Sequence, residues 1–147
     1  MAIEYWGCKV TNFVSMNFGL ETRTVPMTKR ILIVDDNLLL RRQVRTLLTS
    51  DHSLEVCAEA ADGLEAVQKA VECTPDLAVM DVVMPRMNGL EATRAIKRLL
   101  PAVHVLIFAL DVSPQIEQEG KQAGADAVLP KAKASAQLSK LIHSLLD

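Results

Sequence analysis

From Lys29 onward, short apolar runs alternate strictly with amphipathic segments, and this alternation constrains the fold more than any other feature. Arg30–Val34 (RILIV), Leu54–Ala60, Leu77–Asp81 (LAVMD), His104–Ala109 (HVLIFA) and Ala127–Pro130 read as buried strands. Between them lie segments with helical spacing. Strict β-α alternation implies a parallel sheet with helices on both faces, joined by right-handed crossovers. Periodicity alone leaves strand order open. The order 2-1-3-4-5 is one of two common doubly wound arrangements. Pro130 supports it, because a residue without an N–H belongs on an edge strand, where the fifth strand then lies.

The helices are read from spacing and caps. In Leu38–Thr49, the residues Leu40, Val44, Leu47 and Leu48 share one face, with Arg41, Arg42 and Arg45 elsewhere. Gly63–Glu72 turns Leu64, Val67, Ala70 and Val71 inward, and Gly89–Leu100 forms a third helix. Ser113 offers an N-cap and Pro114 the first helical position of a fourth, which runs to about Ala123 with Gly124 beyond its end. Its inner side carries only Ile116, Gly120 and Ala123, so it should be weakly held. The last helix, from about Ser135, spaces Leu138, Leu141, Ile142, Leu145 and Leu146 on one face.

Residues 1–28 show neither period, although they hold the only Trp and Tyr and two of the three Phe. They read as a poorly ordered N-terminal extension, with Met27 an alternative start, leaving 29–147 as the folded domain. Aromatics are 3% of the 147 residues and hydrophobics 50%, so aliphatic side chains must fill the core. A formal charge of −2 gives no standing attraction for nucleic acid or an anionic membrane. Val103–Leu110 is too short to span a bilayer, and the N-terminus lacks a signal-peptide pattern. Cys8, Cys57 and Cys73 show no CxxC or histidine-linked metal spacing, which suits a reducing compartment. A cytoplasmic protein is expected.

In open α/β sheets, ligands bind beyond the carboxyl ends of the strands, where strand order reverses. Asp35 and Asp36 close the first strand, Asp81 closes the third, and Lys131 follows the fifth. Each alone has a bland reading as a turn former, a helix cap or a surface lysine. Together, at successive strand ends, they are hard to dismiss. With strands one and three adjacent, three carboxylates converge beside an ammonium, and their repulsion calls for a cation. Mg²⁺ suits such a set of hard oxygen donors.

The stretches ILIVDDN (31–37), EAADGLEAV (59–67), LAVMDVVMPRMNGLEA (77–92) and QAGADAVLPK (122–131) resemble bacterial two-component response-regulator receivers. Within that family, the resemblance is to receivers usually joined to a helix-turn-helix output. It implies a flavodoxin-like doubly wound (βα)5 fold, and it assigns roles residue by residue. Asp81 matches the phosphoacceptor. Asp36 matches the direct Mg²⁺ ligand and Asp35 its partner, acting mainly through metal-bound water. The backbone carbonyl of Val83 matches a further ligand, and Lys131 the lysine that contacts a phosphoryl oxygen. Met84–Pro85 and Asn88–Gly89 shape the loop over the site.

The chain departs from the family at two switch positions. Ala109 stands where the family carries Thr or Ser, so one charge-assisted hydrogen bond to the phosphoryl group, worth about 1.5–3 kcal/mol, is missing. Val128 stands where an aromatic residue often reorients. Ala132 follows the lysine in place of a proline, and a trans Lys131–Ala132 bond is expected because a non-proline cis bond costs about 2.5–4 kcal/mol. Two readings stand: Ala109 and Val128 are tolerated variations with function intact, or phosphorylation still occurs but moves the fourth helix less than usual.

The expected partners are a sensor histidine kinase or phosphotransfer protein and a downstream protein target, with no direct contact to nucleic acid or membrane. By resemblance alone, a homodimer through helix 4, strand 5 and helix 5 is an expectation. The chain stops at Asp147, just after the last helix, so action through another protein or onward relay is expected, with a truncated transcription regulator as an alternative. A second class is an interaction module that works without phosphorylation. A phosphatase with an aspartyl nucleophile is disfavoured, because Val83 stands where such enzymes carry a second Asp. His52, His104 and His143 form no catalytic or metal set.

Overall fold

The computed structural model describes residues 27–147. The expected extension over 1–28 therefore lies outside the described residues, except for its last two. Strands β1 (Lys29–Val34), β2 (Leu54–Ala60), β3 (Leu77–Met80), β4 (His104–Ala109) and β5 (Ala127–Pro130) form one sheet in the order β2-β1-β3-β4-β5. Every pairing is parallel. Helices α1 (Leu38–Thr49), α2 (Gly63–Cys73), α3 (Gly89–Leu99), α4 (Pro114–Ala123) and α5 (Ala134–Leu146) alternate with the strands. This is the doubly wound parallel sheet expected from the alternation, in the flavodoxin-like order that the resemblance implied, and Pro130 does lie on the edge strand.

Side-chain alternation along the strands divides the core in two. Ile31, Ile33, Leu77, Val79, Leu106 and Phe108 pack with Val44 and Leu48 of α1 and Leu138 and Ile142 of α5. Leu32, Val34, Ala78, Met80, Val105 and Ile107 face the other way, onto Ala66 and Ala70 of α2 and Ala92 and Ile96 of α3. Both faces are covered, so Ile31–Val34 of β1, Leu77–Met80 of β3 and Val105–Ala109 of β4 are apolar at successive positions rather than at every second one. At the β1–β2 pairing the register slips between Ile31 and Leu32, so that Val56 and Ala58 are consecutive partners and Cys57 bulges out.

Caps set the helix starts as the sequence suggested for α4. The Ser113 side chain accepts from the amide of Ile116, Pro114 occupies the first turn, and Gly124 closes the helix at φ 102°. On its inner side Gly120 and Ala123 are buried and Ile116 is half-buried. Helix α3 begins with a full capping box between Asn88 and Glu91.

Two expectations need correction. Leu64 and Val71 do not point inward on α2; both are exposed, and the buried residues are Gly63, Ala66 and Ala70. The inner face is made of small residues because the start of α2 touches backbone. A Cβ at Gly63 would lie 2.3 Å from the carbonyl oxygen of Met87. Secondly, α5 starts at Ala134 after a single 3-10 turn over Lys131–Lys133, which the spacing did not signal. All peptide bonds among the described residues are trans, Lys131–Ala132 included.

The end of the sheet opposite the acidic residues is latched by charge. The imidazole of His143 on α5 lies with Nε2 2.8 Å from Asp51 Oδ2 and Nδ1 3.1 Å from Asp147 Oδ2. Ser139 and Ser53 donate to the same Asp51 carboxylate. Two carboxylates on two ring nitrogens favour imidazolium, so the His143 pKa is raised, chiefly by Asp51. The Asp51 carboxyl is held below its usual range, first by the Ser53 hydroxyl and then by His143. For a raised histidine, the stabilisation is present below its unfolded pKa of about 6.5 and is lost as pH rises through the folded value. Wild type is accordingly expected to lose about 0.5 kcal/mol more than His143→Gln between pH 6 and pH 9 in urea titrations. Parallel pH profiles for the two proteins would show that the latch carries no weight.

Candidate functional site

Three polar loops meet at the carboxyl ends of strands β1, β3 and β5. Asp35 and Asp36 follow β1, Asp81 follows β3, and Lys131 follows β5. Because β1 and β3 are adjacent, the amide of Asp81 donates to the carbonyl of Val34 at 2.9 Å, and the two acidic ends lie side by side. One carboxylate oxygen from each of Asp35, Asp36 and Asp81 lies within 4.8 Å of the others. Asp35 and Asp81 are buried, whereas Asp36 is exposed. Lys131 Nζ bridges the buried pair, 2.7 Å from Asp35 Oδ2 and 3.0 Å from Asp81 Oδ1. The same ammonium sits 5.9 Å from the centre of the Phe108 ring.

Burial raises the Asp81 pKa, the hydrogen bond from Lys131 opposes it, and the neighbouring charge of Asp35 raises it further. For Lys131, burial favours loss of the proton, but the hydrogen bonds to Asp35 and Asp81 outweigh it and the pKa is raised. Three carboxylates converge beside a single ammonium. All three donors are hard carboxylate oxygens in a compact set, which fits Mg²⁺ and offers nothing to a soft metal.

The backbone around the site is tightly held. Asp35 Oδ1 accepts from the amide of Asn37 at 2.9 Å, and the amide of Val82 donates to Asp81 Oδ1 at 2.9 Å. Gly89 donates to the carbonyl of Val82 at 2.8 Å. Its Cα is so close that a Cβ would lie 1.7 Å from the carbonyl oxygen of Asp81. Between these anchors the loop passes Val83, whose side chain is exposed, and Met84, which is buried. Arg86 takes a positive φ of 67°, uncommon for a residue with a side chain. Its guanidinium grips Asp62, the N-cap of α2, and the amide of Gly63 donates to Met87 O at 2.9 Å. Glu65's amide, and after it Arg86, holds the Asp62 carboxyl below its usual range.

Ala109 ends β4, buried, opposite Pro130 of β5; Val128 is half-buried opposite Ile107. The structure therefore brings Asp35, Asp36, Asp81 and Lys131 together. Sequence reasoning missed two contributors. One is the Asp62–Arg86 grip on the β3–α3 loop. The other is Arg41, placed away from the inner face of α1, which in fact reaches the carbonyl of Asp35 at 2.7 Å. A signal existed for it: Arg41, Val44 and Leu48 recur at helical spacing on one face.

A family model for the response regulator receiver domain matches residues 31–143. The chain belongs to the response-regulator receiver family. Phosphorylation on an aspartate is the general function of that family. Among curated relatives, a protein-glutamate methylesterase/protein-glutamine glutaminase of Pyrococcus abyssi is 39% identical over 117 residues, covering 75% of this chain and 30% of the relative. The response regulator protein VraR of Staphylococcus aureus is 34% identical over 117 residues, covering 80% of this chain and 56% of VraR. This receiver thus spans 30% of the one relative and 56% of the other. Among solved structures, a two-component response regulator of the LuxR family from an Aurantimonas species is 36% identical, with a TM-score of 0.78 over 81% of this chain and 85% of that one. No helix among the described residues is long and apolar enough to cross a membrane.

Proposed function

We propose that this receiver accepts a phosphoryl group on Asp81 from a histidine kinase or phosphotransfer protein and signals by binding a downstream protein in the cytoplasm. Residues 29–147 form the receiver, with 1–28 as an extension. The observation that carries this reading is the bridging of buried Asp35 and Asp81 by Lys131, with Asp36 in reach. Asp35, Asp36, Asp81 and the backbone carbonyl of Val83 are the groups that would hold Mg²⁺. When bound, Mg²⁺ supplies positive charge that offsets repulsion between the carboxylates and an incoming phosphoryl group.

The chain's own residues supply the rest. Lys131 opposes the effect of burial on Asp81 and so favours the ionised carboxylate that acts as the nucleophile. One Asp81 oxygen attacks phosphorus, the bond from phosphorus to the donor nitrogen breaks, and its electron pair leaves with the imidazole. The ammonium has three N–H groups, so it can turn one onto a phosphoryl oxygen while keeping Asp35. Burial of Asp81 limits access of water to the acyl phosphate. The chain catalyses only its own phosphorylation and dephosphorylation.

Incubation with Mg²⁺ and acetyl phosphate is expected to add one acid-stable, base-labile phosphoryl group to wild type and none to Asp81→Asn, read by mass spectrometry. In NMR spectra of the phosphoform, the α4 resonances are expected to shift little, because Ala109 offers no hydroxyl to draw the β4–α4 loop inward. Wide shifts across α4 would remove the weakened-switch part of this reading. Absence of any adduct, with a kinase donor failing too, would favour an interaction module independent of phosphorylation, the alternative to which Ala109 lends some support.

A further inference from the structure

We propose that Arg41 is a positioning residue for the acidic pocket, pinning the peptide between Asp35 and Asp36 so that both carboxylates are aimed at the cation they share. The inference rests on the Mg²⁺ reading above and assigns a role to a residue outside the pocket itself. Its geometry is specific. Arg41 Nη1 donates to the carbonyl oxygen of Asp35 at 2.7 Å, while Nε donates to Glu59 Oε1 at 3.1 Å. Glu59 lies on β2, and its second oxygen is taken by Arg45 Nε at 2.5 Å. The guanidinium thus ties α1 and β2 to the turn at the end of β1. Arg41's side chain is 15% exposed, against 44% for Arg45, so only the former is enclosed.

The rest of Asp35 is already committed. Its amide donates to the carbonyl of Ala60 at 3.1 Å, Oδ1 accepts from Asn37, and Oδ2 accepts from Lys131. The carbonyl held by Arg41 belongs to the same peptide plane as the amide of Asp36. Rotation of that plane would swing the exposed Asp36 away from the buried pair. A planar fork can serve a carbonyl and a carboxylate at once, whereas a lysine offers a single ammonium centre.

Charge and position make opposite predictions. A guanidinium near a cation site would weaken Mg²⁺ binding by repulsion alone, whereas a guanidinium that orders the ligands would strengthen it. Mg²⁺ titration of the full chain by calorimetry, on wild type, Arg41→Met, Arg41→Lys and Glu59→Gln, separates them. Both Arg41 variants are expected to bind Mg²⁺ about tenfold more weakly, as for groups that orient metal ligands. Lysine should fail to rescue, and Glu59→Gln should give a smaller loss. In the metal-free proteins, amide exchange at Asp36 and Asn37 should quicken in the Arg41 variants. Tighter Mg²⁺ binding by Arg41→Met, restored to the wild-type value by lysine, would replace positioning with simple repulsion. Unchanged Mg²⁺ binding and unchanged exchange, with only a lower melting temperature, would reduce Arg41 to a structural role. Failure of wild type itself to bind Mg²⁺ would overturn the metal reading and the pocket-aiming role with it, and the exchange data would still report whether Arg41 orders this turn.

Discussion

Gly89→Ala is expected to lower the melting temperature by about 10 °C and to cut phosphoryl incorporation from acetyl phosphate about a hundredfold. The added methyl would lie 1.7 Å from the carbonyl oxygen of Asp81 and 2.8 Å from its carbonyl carbon. These are backbone atoms, so no rotamer change relieves the overlap. Overpacking a core position commonly costs 1–3 kcal/mol, and a clash with backbone belongs at about the upper end. That is a large share of the roughly 5–15 kcal/mol that holds a domain together. The functional loss follows from where the strain goes. Pushing the Asp81 peptide away from α3 disturbs its amide's bond to Val34 and the Val82 amide's bond to Oδ1. Both orient the proposed nucleophile. Wild-type melting and phosphorylation in this variant would mean that the start of α3 adjusts without moving Asp81.

Lys131→Met is expected to give the other large effect, and its signature is in the pH and Mg²⁺ dependence. Removing one partner from a buried ionic cluster leaves the remaining charges uncompensated and costs about 3 kcal/mol at neutral pH without Mg²⁺. Here the remaining charges are Asp35 and Asp81, both buried. The sign follows from Asp81, whose pKa is raised by burial and by Asp35 and held down by Lys131. Without the ammonium it rises further. A carboxyl with a raised folded pKa contributes stability below its unfolded value, near pH 4, and loses it as pH climbs through the folded value. The variant should therefore lose stability more steeply than wild type from pH 4 to 7. Mg²⁺ should narrow the gap, since a bound cation replaces the one removed. Phosphorylation should fall at least about a hundredfold, because the nucleophile is less ionised and a donor to the phosphoryl oxygen is gone. Urea titrations at pH 4.5 and 7, each with and without Mg²⁺, check the first part. Equal losses in all four conditions would indicate that Lys131 matters only for packing against Phe108.

Much of the fold was legible because its rules are local. The strands showed themselves as apolar runs, and α4 could be bounded to the residue because Ser113, Pro114 and Gly124 each have a physical reason to stand at a helix end. Legibility failed on α2. Leu64 and Val71 look like core residues by type, but the face that turns inward is chosen by what α2 approaches. It approaches the backbone of Met87, where only a glycine fits. Hydrophobicity names residues that can be buried; packing decides which of them are.

The acidic site divides along the same line. The sequence by itself determined which groups the pocket holds: carboxylates closing two strands and a lysine after a third. Those residues follow from strand ends, and strand ends follow from local pattern. Only the tertiary structure decided the partnerships. Lys131 is 96 residues from Asp35 in the chain and 2.7 Å from it in space. Arg41 turns inward to the Asp35 carbonyl, and Arg86 to Asp62. Such contacts depend on where parallel strands place their ends and on which side chains are long enough to cross between loops. Neither quantity has a period that can be read along one chain.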